Sequence, residues 1–106
     1  MKLPIPMPVS RAITKLGRDL SLARRRRRLS QASFAERMGT SLATLKRLEN
    51  GDPRVAVELV ARALHVLGEI GRIDKLLDTS EDAIGLALMD EQLPKSVRAR
   101  KSSVGL

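Results

Sequence analysis

The sequence predicts an all-α fold of five helices with a short C-terminal extension, on three observations. Apolar residues recur at three- and four-residue steps from Ile13 onward, two short apolar segments meet at Gly39, and turn-forming residues follow each segment. A chain of 106 residues is one domain, with room for a single modest core.

The elements follow in order. Pro4, Pro6 and Pro8 cannot continue a helix and bias their neighbours toward extended conformations, so residues 1–9 are expected to be an extended arm. Ser10 supplies an N-cap for a first helix of roughly four turns, with Ile13, Leu16, Leu20 and Ala23 on its apolar face. The arginines at 24–28 end it, placing cations at the negative pole of the helix dipole. Ser30 caps a second helix whose inward residues are Phe34, Ala35 and Met38, and Gly39 is the left-handed residue that stops it. Thr40 or Ser41 caps a third helix with Leu45 and Leu48 inward, terminated by Asn50, Gly51, Asp52 and Pro53. The joint between these two short helices is about three residues, as a helix-turn-helix requires.

Between residues 55 and 67 the pattern changes. Val55, Val57, Leu59, Val60, Ala63, Leu64, Val66 and Leu67 leave hardly any polar face, and a helix apolar nearly all round must be covered on two sides. The core covers one side. A second copy of the chain is expected to cover the other, through Val57, Val60, Leu64, Leu67, Ile70, Ile73 and Leu77, the last three from a short fifth helix. Residues 78–93 form an extension in which 83–89 is a second apolar run, either a helical turn or two or an extended segment. Residues 94–106 are expected to be a basic flexible tail.

Composition narrows the partners. The net charge of +8 favours polyanions, and its distribution is uneven: residues 1–29 carry nine basic and one acidic residue, whereas 55–93 carry three basic and eight acidic. Phe34 is the sole aromatic residue, which argues against recognition of single strands by base stacking. There is no cysteine, no apolar run of membrane-spanning length, and three prolines interrupt the start where a signal peptide needs a continuous apolar core, so a cytoplasmic location is expected. His65 has no second histidine or cysteine to complete a metal pattern and is expected to be packed in the interior or an interface. Asp74, Asp78, Glu81 and Asp82 lack the spacing of a calcium loop. No nucleophile and base combination stands out, so neither a cofactor, a metal nor enzymatic activity is expected.

The segment SQASFAERMGTSLATLKRLENG, residues 30–51, resembles the helix-turn-helix of the lambda-repressor-like, or xenobiotic-response-element, family. Ser30, Gln31, Ala35, Gly39, Ser41, Thr44, Leu45, Leu48, Glu49, Asn50 and Gly51 stand at the family spacing. The resemblance extends over residues 10–77 and implies a DNA-binding and dimerisation domain. A further resemblance, carried by the C-terminal extension and by TLKRLENGDPRVAVELVARALHVLG, is to HipB-type antitoxins. It implies a homodimeric transcriptional repressor of an inverted-repeat operator, paired with a HipA-like serine/threonine kinase toxin.

The same resemblance implies roles for residues. Gln31 matches a position that hydrogen-bonds a phosphate and braces the reading helix. Ser41, Leu42, Ala43, Lys46 and Arg47 match the face that enters the major groove, with Thr44 and Asn50 near the DNA backbone. Arg24 matches the position that pairs with a glutamate of the third helix, here Glu49. Of the remaining arginines, Arg25 and Arg28 are the phosphate candidates, because five successive residues point all round a helix and only two or three can face DNA. Leu42 and Ala43 depart from relatives that carry amides there, and can pack only on thymine methyls or sugar, which leaves hydrogen-bonded readout to Lys46 and Arg47. Two alternatives share the fold: a stand-alone phage-type repressor without a toxin partner, and a protein-interaction module that has lost specific DNA binding.

Overall fold

The computed structural model describes residues 3–78 and 88–93. Among these residues there is no strand, and the order is α1 (Met7–Arg26), α2 (Gln31–Met38), α3 (Leu42–Glu49), α4 (Val57–Leu67) and α5 (Gly71–Asp74). The chain divides into two units, Met1–Leu76 and Leu77–Leu106. All five helices lie in the first. In the second, residues 88–90 make a helical turn on which Leu88 and Met89 are exposed. The apolar run expected at 83–89 falls mostly outside the described residues, and the tail at 94–106 falls wholly outside them.

Helix α1 begins four residues earlier than its sequence suggests. Pro6 is the N-cap and Pro8 lies in the first turn, so Ser10 is helical and caps nothing, its amide donating to the Pro6 carbonyl at 3.1 Å. The first turn has no intrahelical acceptors for its own amides, so proline costs nothing there, and its fixed φ suits the helix. The extended arm therefore stops at Pro6.

Four helix ends share one device. After α1, α2, α3 and α4, a left-handed residue lets two amides fold back onto the last carbonyls of the helix. Gly39 (φ 75) ends α2 as expected, with the Thr40 amide on the Ala35 carbonyl at 3.0 Å. After α1 the left-handed residue is Arg28 (φ 56), and the Leu29 amide reaches the Arg24 carbonyl at 3.2 Å.

The core is built from Leu20, Phe34, Ala35, Met38, Leu45, Leu48, Ala63 and Leu67, with Phe34 and Leu45 fully enclosed. At roughly 1.5–3 kcal/mol per large side chain, burial of these residues is what holds α1 to α4 together. Helix α1 reaches α3 at Gly17, where a Cβ would lie 2.5 Å from the Leu48 carbonyl oxygen and 2.6 Å from that of Glu49. The residue there must lack a side chain.

Two expectations about the second half are corrected. Helix α4 does carry a polar strip, because Glu58, Arg62 and His65 are exposed, so His65 faces outward rather than into the interior. Arg62 bonds Glu58 and donates to the Met38 carbonyl at 3.0 Å, closing the end of α2. The fifth helix is a single turn, ending before Leu76 and Leu77, both of which are exposed. No helix among the described residues is long and apolar enough to cross a membrane.

Candidate nucleic-acid interface

The two short helices are positioned by caps. Ser30 is extended (ψ 161) and its side chain accepts from the Ser33 amide at 3.0 Å, which starts α2. Ser41, not Thr40, starts α3: its Oγ accepts from the Thr44 amide at 3.1 Å and donates to Thr44 Oγ1 at 2.9 Å. Ser41 was expected among the base-facing residues. Its hydroxyl is committed to the cap that fixes the start of α3.

Beneath this pair of helices lies an ion-pair network. Arg24 and Glu49 have side chains only 9% and 5% exposed, and they meet in two bonds, Nε to Oε2 at 2.7 Å and Nη2 to Oε1 at 3.1 Å. Arg24 Nη1 also donates to the Leu29 carbonyl at 2.8 Å, the residue that leads into α2. A guanidinium presents a planar fork that satisfies both oxygens of a carboxylate, which a lysine could not do. One arginine thus links the end of α1, the entry to α2 and the end of α3.

Gln31 joins the same network. Its Nε2 donates to Glu49 Oε1 at 2.9 Å, which leaves one amide hydrogen and the amide oxygen for another partner. The residue is half-buried. It braces the end of α3, and any phosphate contact must be made with the remaining hydrogen.

The outer face of α3 presents Leu42, Ala43, Lys46, Arg47 and Asn50, all exposed, with Leu42 at 39%. Arg47 rests on Thr44, Nη2 to Oγ1 at 3.3 Å, one turn back along the helix. Lys46 and Asn50 make no side-chain bond among the described residues. In the turn after α3, Asp52 accepts from the Arg54 side chain at 3.1 Å and from the Arg54 amide at 2.9 Å, and these bonds hold its carboxyl below the usual carboxylate range.

The arginine run divides by role. Arg24 is internal, while Arg27 donates to the Ala23 carbonyl at 2.9 Å and to the Leu67 carbonyl at 3.2 Å, tying α1 to the end of α4. Sequence reasoning missed that tie, as it missed the Arg62 closure of α2, because a backbone acceptor from a distant helix leaves no trace in local spacing. Arg25 and Arg28 are exposed; Arg25 makes only a long 3.4 Å bond to the Ser21 carbonyl.

An apolar groove of about 840 Å³ runs between α1 and α4. Ile13, Leu16, Val57, Val60, Leu64 and Ile73 are among its lining residues. Of the residues expected to meet a second copy, Val57 and Ile70 are exposed, and Val60, Leu64 and Ile73 are half-buried. Leu67 is 7% exposed and belongs to the internal core, so it is not free for a partner. Leu77 is exposed and falls in the second unit.

The geometry is that of two capped helices joined at a left-handed glycine, the second presenting an exposed face with two cations. No curated protein and no solved structure matches the chain. The sequence profile of the helix-turn-helix domain matches residues 15–72, more than half of the chain and all five helices except the first turns of α1 and the end of α5. The chain belongs to the helix-turn-helix domain family, the family of DNA-binding regulators.

Proposed function

We propose that this chain is a lambda-repressor-like transcriptional repressor that binds an inverted-repeat operator as a homodimer. The observation that carries this reading is the exposed α3 face, held in place by the buried Arg24, Glu49 and Gln31 network. A rigid mount matters because base edges are read by hydrogen bonds with tight geometry. Lys46 and Arg47 supply the hydrogen-bonding contacts, with guanine the natural target of Arg47; Leu42 and Ala43 pack on thymine methyls or sugar. Thr44, Asn50, Arg25, Arg28 and the spare hydrogen of Gln31 contact the backbone. The apolar groove beside α4 supports the dimer, since Val57, Val60, Leu64, Ile70 and Ile73 would otherwise face water.

Selection of bound duplexes from a random pool tests the proposal. It should return an inverted repeat with half-sites about 34–36 Å apart, one helical turn. Recovery of unrelated sequences would reject it. A role as the antitoxin of a HipA-like kinase rests on the sequence resemblance alone. The acidic stretch after residue 55 would hold the toxin, and co-purification from the native operon tests that part.

A further inference from the structure

Helix α1 carries a basic face of which only Arg25 enters the reading proposed above. Arg11, Arg18 and Arg25 stand seven residues apart, so they share one face with a drift of only about 20° per step. All three are exposed. Arg11 and Arg18 have no hydrogen bond or ion pair among the described residues, whereas Lys15 is paired with Asp19, Arg62 with Glu58 and Arg72 with Glu69. Between the first two arginines the surface is concave, about 420 Å³ lined by Ser10, Arg11, Thr14, Lys15, Arg18 and Asp19. The Asp19 carboxylate there is hydrogen-bonded by Lys15 at 2.6 Å and reaches Arg18 only through space, which leaves the hydrogen-bonding groups of two guanidiniums and two hydroxyls unused.

The stripe lies near the part of α1 that packs against the end of α3. Thr14 packs directly on Gly51, where an added Cβ would meet its Cα at 2.8 Å, and Gly17 packs on the last carbonyls of α3. At about 100° per residue, the stripe lies less than a quarter-turn to a third of a turn round α1 from these contacts. It therefore flanks the C-terminal end of the reading helix. In a helix-turn-helix the reading helix, here α3, lies in the major groove while the helix before it, here α2, crosses the bounding sugar-phosphate backbone, and α1 packs beside the end of α3.

We infer that Arg11 and Arg18, continued by Arg25, form a phosphate-binding stripe that follows the DNA backbone outside the bases read by α3. The inference rests on the DNA-reading role proposed above. The three guanidinium groups span about 21 Å of helix, so each neutralises a different phosphate. The hydroxyls of Ser10 and Thr14 add uncharged donors to the concavity between the first two. The stripe supplies affinity and orientation but no sequence preference.

The test is a salt series on the full-length chain binding a random-sequence duplex and the duplex returned by selection. Arg11→Ala with Arg18→Ala should lower the slope of log affinity against log salt by about 2 on both duplexes, at roughly 0.9 per phosphate contact, with their affinity ratio unchanged. Arg72→Ala with Lys75→Ala, which removes the same charge at the α5 end, should lower it by much less. A slope unchanged by the first pair would overturn the inference and would point instead to an acidic protein as the partner of this face. An equal effect of the two pairs would also overturn it, since bulk charge would then be the cause. Both arginines are exposed, so matching thermal melts confirm that folding is intact. The affinity ratio of wild type reads the function proposed above, while the slope on random duplex reads the stripe, so the two fail separately.

Discussion

Arg28 concentrates an argument about single residues. A left-handed conformation costs a residue with a side chain about 1–2 kcal/mol, and relatives of this turn geometry favour glycine, yet here the residue at φ 56 is an arginine with an exposed side chain. Arg28→Gly should raise stability by up to about 1 kcal/mol in urea unfolding, because the backbone strain disappears. The same change should weaken duplex binding and reduce its salt slope by about 1, the mark of one lost phosphate contact. Gain in one measurement and loss in the other distinguishes a functional residue from a neutral one. Gly17 makes the opposite case. In an exposed helix, alanine is favoured over glycine by about 1 kcal/mol. Here the added Cβ would meet backbone oxygens of α3 at 2.5 and 2.6 Å, and backbone cannot rotate away. Gly17→Ala should therefore destabilise by about 1–3 kcal/mol, the range for overpacking; an increase in the urea midpoint would contradict the close packing of α1 on α3.

Individual elements were legible in proportion to how local their determinants are. The starts of α2 and α3 and the stop at Gly39 could be read because a serine cap and a glycine act within three or four residues of themselves. The start of α1 could not be read correctly, since three prolines look like an arm, and only their placement in a first turn makes Pro8 compatible with a helix. The Arg24 and Glu49 pair was legible through resemblance. The engagement of Gln31 by Glu49 was not, because it joins residues on two helices that only the fold brings together. The end of the short α5 also escaped, since Ile70, Ile73, Leu76 and Leu77 keep helical spacing without forming helix beyond Asp74. At this scale the cap of α3 is the element to test. Ser41→Ala removes the acceptor of the Thr44 amide and should cost about 1 kcal/mol, with amide exchange accelerated in the first turn of α3 above all. Uniform acceleration across the chain would mean that Ser41 supports the core and not the helix end.

For the whole molecule, the proposed function requires the exposed α3 face and the apolar groove to work together. A monomer would read one half-site, whereas a dimer fixes two reading helices at one spacing and gains affinity from both. Val57 is 78% exposed, so Val57→Asp should leave the fold intact, and an acid in the first turn of α4 even suits the helix dipole. Sedimentation should then show a shift from dimer to monomer, and an unchanged dimer would place the interface elsewhere. The central claim is that α3 reads sequence through Arg47. Its most direct measurement is a titration of wild type and Arg47→Ala against the selected inverted repeat and a random duplex at the same salt. Wild type should favour the repeat by about 10³ or more, and Arg47→Ala should lose about 1–3 kcal/mol on the repeat while binding random duplex almost as before. Equal affinity of wild type for the two duplexes would contradict it.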